Sequence, residues 1–297
     1  MKRVTAYLSL ALLAAVGCSE PFDLGERDCT QTYLCVESLL TDFPGVQTVR
    51  LTESVPYDSK QAAPAVSGAA VSVSDGTTTV RFEESSAEKG LYCSPRGYCG
   101  EQGKTYTLNI EHDGKAYKAK AEMPVFGFDI KGIDYKYTGS LLDSLWTIYV
   151  WGNDAPGDNY YLVSAAVNGN SYPLNLSLPV PDYYFDGSII DAFPIAILSQ
   201  GAEMESLYGP CAKPLEQGDL LTLVCYEIPR DYFNFIFDMQ SNTSAVSIPI
   251  LTSQPANLYS NIEGDNAVGY FAVCSVRSAS CIVDDPYRTT FRSENPF

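Results

Sequence analysis

The sequence predicts a mainly β protein: an N-terminal immunoglobulin-like β-sandwich followed by a second antiparallel β domain with about one helix. Three observations carry this reading. Short runs rich in β-branched and aromatic residues recur along the chain, divided by turn pairs such as Asp75-Gly76, Asp113-Gly114 and Asn168-Gly169. Thr105-Tyr-Thr-Leu-Asn-Ile-Glu alternates polar and apolar residues, as a strand with one solvated face does. The best helix candidate begins at Tyr232, just after Pro229-Arg230-Asp231, and runs to Gln240, although its aromatics also suit a strand.

The first seventeen residues read as a lipoprotein signal peptide. Lys2 and Arg3 form a basic start, Ala6 to Val16 an apolar stretch, and Ala15-Val16-Gly17-Cys18 fits a lipobox with Cys18 as the lipidated residue. An ordinary signal peptide cut before Cys18 is the plainer alternative. No later run approaches the roughly 18 apolar residues of a membrane-spanning helix, so the expectation is a lipid anchor. Residues 18–28 follow as an acidic tether.

The expected sandwich covers residues 29–124. Its strands are Tyr33–Leu40, Gln47–Val55, Ala69–Ser74, Thr77–Glu83, Lys104–Glu111 and Lys115–Glu122, and about seven short strands in ninety residues suit that architecture. Met123-Pro124 marks the boundary. In the second domain, residues 125–285, Ile130–Tyr137, Ser144–Trp151, Tyr160–Asn168 and Leu220–Ile228 read as strands. Gly269–Val276 and Ser280–Val283 read as a final hairpin. Residues 174–217 look irregular, with prolines at 179, 181, 194, 210 and 214, and suit a binding loop or interface. Residues 286–297 are left as a C-terminal tail.

Nine cysteines leave one thiol over, and lipidating Cys18 removes it. The remaining eight form four local pairs, Cys29/Cys35, Cys93/Cys99, Cys211/Cys225 and Cys274/Cys281. Turn symmetry supports the second and third, because their midpoints fall on Arg96 and Gly218, and residues equidistant from a hairpin turn face each other. Zinc is the rival, but no Cys-x2-Cys pair exists and His112 is the one histidine.

Composition excludes several functions. With 19 Lys+Arg against 36 Asp+Glu the formal charge is −17, which repels nucleic acid. Forty-five per cent hydrophobic residues exclude a disordered chain. His112 stands at a hairpin turn with no nucleophile motif, so no catalytic residue and no cofactor is expected. Asp154, Asp158 and Asn159 are oxygen donors for calcium, but their spacing is not an EF-hand loop and Pro156-Gly157 already explains a turn, so no metal is expected either. Asp182-Tyr183-Tyr184-Phe185-Asp186 is the more interesting cluster. Tyr183 and Tyr184 are the expected ligand or partner contacts, with local core as the alternative.

An ordered series of segments resembles a known family. It runs through Tyr33-Leu-Cys-Val-Glu-Ser-Leu-Leu-Thr-Asp, Gln47-Thr-Val-Arg-Leu-Thr, Pro64-Ala-Val-Ser-Gly-Ala-Ala-Val-Ser-Val-Ser-Asp-Gly and Gly103-Lys-Thr-Tyr-Thr-Leu-Asn-Ile. It continues through Asn159-Tyr-Tyr, Tyr184-Phe-Asp-Gly, Gly218-Asp219, Asp231-Tyr-Phe and Pro255-Ala-Asn-Leu-Tyr-Ser-Asn-Ile-Glu-Gly. The chain resembles the Bacteroidetes outer-membrane lipoproteins grouped as domain of unknown function 4249, departing from them in its cysteine pairs. The resemblance implies a lipoprotein found beside TonB-dependent transporters, with no activity and no catalytic residue to carry over. Glu20, Asp23, Glu26 and Asp28 then resemble surface-export signals, against a plain solvated tether. The leading expectation is a non-enzymatic lipoprotein facing the cell exterior, partner of a TonB-dependent nutrient-uptake complex and its substrate-binding lipoprotein. The alternative is a stand-alone glycan- or peptide-binding surface lipoprotein, and a hydrolase built on paired acids stands behind both.

Overall fold

The structure is a computed structural model that describes residues 31–56, 59, 61–139, 144–171, 177–183, 185–200, 215–243 and 259–292. The first half contains β1 (Leu34–Thr41), β2 (Thr48–Glu53), β3 (Ala70–Ser74), β4 (Thr79–Glu84), β5 (Leu91–Cys93), β6 (Thr105–His112) and β7 (Lys115–Glu122). The second contains β8 (Phe128–Tyr137), β9 (Ser144–Asp154), β10 (Tyr160–Val167), β11 (Asn170–Ser171), β12 (Leu178–Pro181), β13 (Ile189–Gln200), β14 (Leu220–Glu227), helix α1 (Arg230–Thr243) and β15 (Ala267–Ile282). The protein is mainly β with one described helix.

Local chemistry accounts for the hairpins. In β6, Tyr106, Leu108 and Ile110 are buried at alternate positions, the face that the polar–apolar alternation specifies. Asp113 and Gly114 both take positive φ, 48° and 72°, as a two-residue turn between twisted strands requires. Asn168 and Gly169 repeat this between β10 and β11. At the β3–β4 turn the Asp75 carboxylate accepts from the N–H groups of Thr77 and Thr78, at 3.0 and 2.7 Å.

One hydrogen-bonded path joins the two expected domains, residues 29–124 and 125–285. Its order is β11-β10-β14-β15-β1-β2-β5-β4-β3-β6-β7, with β12 also on β10. The path turns a corner within β4, whose residues Thr79–Phe82 pair with β3 while Glu83 and Glu84 pair with β5. The joint is β15. Residues 267–274 lie parallel to β1, and residues 275–282 lie antiparallel to β14. The expected final hairpin is therefore one continuous strand. Ser278-Ala279-Ser280 does not turn, because it pairs with Val224, Leu223 and Thr222.

The chain changes cores near Met123. The first core gathers Val36, Leu51, Tyr92, Leu108 and Met123, and also takes Ile262, Phe271 and Val273 from near the C-terminus. The second lies between β10, β14 and a three-stranded sheet of order β13-β9-β8, and includes Trp146, Ile148, Tyr161 and Leu221. On the far side of β10 and β15, α1 covers a third cluster with Tyr232 and Ile236 against Leu162, Tyr270 and Cys274. Covered on both faces, β10 is buried from Tyr161 to Val167.

Three further expectations change. The irregular stretch contains β12 and the twelve-residue β13, which crosses Pro194 by means of register shifts. The described part of the tail, residues 286–292, is a strap: Arg288 donates to Asp134, the Trp146 indole N–H donates to the Pro286 carbonyl at 2.6 Å, and Phe291 packs edge-on to Trp151. The local disulfides are corrected where both partners are described. Cys274 and Cys281 are separate thiols seven residues apart on β15, a span of about 23 Å at about 3.3 Å per residue. Cys93 and Cys99 are also free, because the chain after β5 runs on along the segment before β2 (Ser94 on Gln47, Tyr98 on Gly45) instead of folding back. Cys35 and Cys225 carry free thiols as well, and their expected partners Cys29 and Cys211 lie outside the described residues, as does Cys18.

Candidate functional site

The cluster around Tyr183 is held by two loops. One follows β9, residues 154–159, and the other joins β12 to β13, residues 182–188. The Asp154 N–H donates to the Ser188 carbonyl at 3.0 Å and ties the loops together. Within the second loop the Phe185 N–H reaches Asp182 O at 2.7 Å and the Ser188 N–H reaches Phe185 O at 2.9 Å, a tight double turn closed by Gly187 at φ 64°. Tyr183 stands on this turn and is 65% exposed. Tyr184 lies outside the described residues. Phe185 turns inward against Phe193, so the aromatic run divides between surface and core.

Three carboxylates converge beside Tyr183. One oxygen each from Asp154, Asp182 and Asp186 lies within 4.8 Å of the others. Asp154 and Asp182 are buried, at 6% and 4% exposure, and Asp186 is exposed. Among the described residues, every hydrogen-bond donor to them is neutral. Asp154 accepts from the Tyr161 hydroxyl at 2.7 Å and the Gly187 N–H at 3.1 Å. Asp182 accepts from the Asn159 N–H, and Asp186 from the Gly157 N–H, both at 2.8 Å. A fourth carboxylate, Glu227 at the end of β14, accepts from the Asn159 side-chain amide at 2.6 Å and from the Gly127 N–H. Burial pushes the Asp154, Asp182 and Glu227 carboxyls above the usual range, and their mutual repulsion adds to this. Oxygen donors of this kind suit a hard cation or a shared proton.

The sequence reading groups Asp154 with Asp158 and Asn159. In the structure Asp158 is exposed and outside the cluster, while Asp154 meets the Asp182–Asp186 loop. Glu227 is not anticipated, yet a signal for it exists. Leu221, Leu223, Cys225 and Glu227 share one buried face of an alternating strand, so the glutamate falls at an inward position. His112 ends β6 at the hairpin tip, with Nε2 3.5 Å from the Asp113 carboxylate.

Behind the cluster, between the sheets, is an apolar cavity of 20 Å³ lined by Phe128, Tyr161, Phe185, Phe193 and Leu223 among others. It has room for about one water molecule and is too small for an organic ligand.

Among solved structures, a DUF4785 family protein from Legionella pneumophila is similar at 10% identity and a TM-score of 0.22, over 65% of this chain and 52% of that one. The chain thus spans about half the length of that protein, and no property is carried over from it. No curated protein matches the chain. A family model described as Domain of unknown function (DUF4249) matches residues 19–280, which take in the first core, the second core apart from Cys281 and Val283, and the carboxylate cluster. The chain belongs to the DUF4249 family.

Proposed function

We propose that the protein is a non-enzymatic, lipid-anchored protein of the outer membrane that faces the cell exterior. In this reading it docks on a TonB-dependent nutrient-uptake complex and its substrate-binding lipoprotein. The observation that carries this is Tyr183, a large amphipathic ring held 65% exposed on a turn that hydrogen bonds pin on both sides. A rigid exposed tyrosine gives contact area at small entropic cost, the usual property of a binding anchor. The lipobox ending at Cys18 and the acidic tether from Glu20 to Asp28 support attachment at a membrane surface. A stand-alone glycan- or peptide-binding role draws on the same ring, since stacking on a sugar needs the same exposure. Hydrolysis by paired acids draws less support: the carboxylate oxygens lie within 4.8 Å of one another, closer than the roughly 5–9.5 Å separations that glycoside hydrolysis uses.

Two substitutions test the proposal. Cys18→Ala should move the protein from the membrane fraction to the soluble one, and unchanged membrane association refutes the anchor. Tyr183→Ala with Tyr184→Ala should leave the unfolding midpoint in place and reduce co-purification with the transporter. A double variant that unfolds makes these rings structural. Turnover of a glycan or peptide by the purified chain, surviving controls for contaminating enzymes, refutes the non-enzymatic reading.

A further inference from the structure

We infer that the Asp154, Asp182 and Asp186 carboxylates, together with the side-chain oxygen of Asn159, form a calcium site.

The first reason is spacing. Two oxygens on opposite sides of a calcium ion bound at about 2.4 Å stand about 4.8 Å apart, and the three carboxylate oxygens all fall within 4.8 Å. The second is uncompensated charge. Among the described residues no Lys, Arg or His forms an ion pair with any of the three. Two of the carboxylates are more than nine-tenths buried, where unpaired charge is costly.

The third reason is independent of the acids. Asn159 Oδ1 is shut off from solvent and has no hydrogen-bond partner. Its orientation is fixed from the other end of the amide. The buried Glu227 carboxylate accepts a hydrogen bond there, so it takes the NH2 group and turns the oxygen away. That oxygen lies beside Gly157, whose N–H holds Asp186, while the backbone N–H of Asn159 itself holds Asp182. The short loop that carries this oxygen therefore also holds both carboxylates through its backbone. A buried carbonyl oxygen without a donor is expensive, and a cation is the partner that satisfies it together with three anionic oxygens.

Calcium fits better than magnesium. The ligands come from two loops and supply three carboxylates and one amide oxygen. Exposed Asp186 leaves an open side for water, which suits the flexible six-to-eight coordination of calcium. Glu227 acts behind the ligands, as the group that orients Asn159.

The test is calorimetric titration of the full chain, purified in detergent after chelator treatment, with calcium chloride and then magnesium chloride. The expected result is saturable binding of one calcium, a higher unfolding temperature with calcium, and magnesium at least tenfold weaker. Asp186→Asn removes an exposed ligand without touching the core. It should weaken calcium at least tenfold while leaving the calcium-free unfolding temperature unchanged or higher, because a repelling charge is gone. A purely structural carboxylate would lower that temperature instead. Terbium luminescence excited through tyrosine, with Tyr161 bonded to Asp154, should appear in the parent and fall in Asp186→Asn. Absence of saturable calcium binding by the folded parent overturns the inference, and so does unchanged affinity in Asp186→Asn. The site stands apart from docking: calcium binding without co-purification retains it and removes the docking role.

Discussion

Arg288→Ala tests whether the C-terminal strap is part of the fold. The Arg288 and Asp134 side chains are 11% and 2% exposed. Nη2 donates to Asp134 Oδ1 at 2.5 Å and Nη1 to Oδ2 at 3.3 Å, and the guanidinium lies 4.6 Å over the Tyr135 ring. Alanine leaves Asp134 with the N–H groups of Tyr135 and Arg292, at 2.9 and 3.0 Å, and without its countercharge. Removing one partner of a buried pair costs about 3–5 kcal/mol. Because two backbone donors remain and a lifted strap admits water, the expected loss is about 2–3 kcal/mol. Urea unfolding followed by tryptophan fluorescence reads this directly, since the Trp146 indole bonds to Pro286 and Trp151 packs on Phe291. With a slope of about 3 kcal/mol per molar urea, the midpoint should fall by about 0.7–1 M. Replacing Arg288 and Asp134 together by leucine should cost less than Arg288→Ala, because no charge is then stranded. A loss under about 0.5 kcal/mol, within the range of an ordinary surface substitution, refutes the reasoning, as does a double variant less stable than Arg288→Ala.

Three other outcomes follow from the same physics. In chelating buffer, stability should rise as the pH falls towards the ordinary carboxylate range. The raised Asp154, Asp182 and Glu227 carboxyls hold protons to higher pH in the folded chain, so their contribution is complete below the ordinary carboxylate value of about 4 and is lost as pH rises through the folded values. Asp75, held down to about 2 by the Thr78 and Thr77 N–H groups, loses its contribution only in stronger acid, and a urea midpoint that falls as the pH drops towards the ordinary carboxylate range contradicts the scheme. Gly269→Ala should abolish folding, since φ is +120° and a Cβ would sit 2.0 Å from the Val36 carbonyl oxygen; a soluble variant with a cooperative melt contradicts this. A chain ending at residue 124 should show no cooperative unfolding transition, because it lacks Ile262, Phe271 and Val273 of its own core, and a sharp melt would show that β15 is dispensable.

Elements governed by local rules were legible in the sequence. The alternation of Thr105–Glu111 identifies both the strand and its buried face, and the polar turn pairs locate the hairpins because φ above zero there favours glycine, asparagine and aspartate. Pro229 opens the helix where expected, its carbonyl accepting from the Phe233 N–H at 3.0 Å. β13 was not legible. A proline normally demotes a strand, but Pro194 sits on an edge beside a register shift, and Ala192 takes φ 53° to re-aim the chain. The carboxylate cluster divides in the same way. Asp182 and Asp186 stand out locally, but no sequence spacing links them to Asp154, which β9–β13 pairing brings across. The two halves share a sheet through parallel pairing of β1 with β15, a contact between residues more than 230 positions apart that periodicity does not reveal.

That pairing also fixes an order of events. A chain made from its N-terminus cannot complete its first core until residue 273 has left the ribosome, since Phe271 and Val273 fill it and β15 covers the edge of β1. The earliest residues to emerge are therefore among the last to settle, with a loop of more than 200 residues to close. High contact order of this kind makes folding slow and leaves the edge of β1 open while it lasts. Slow closure keeps the chain extended late, the state in which a polypeptide can be threaded through a narrow channel. Until β15 arrives, Leu34–Thr41 has β2 on one side and an unpaired edge on the other.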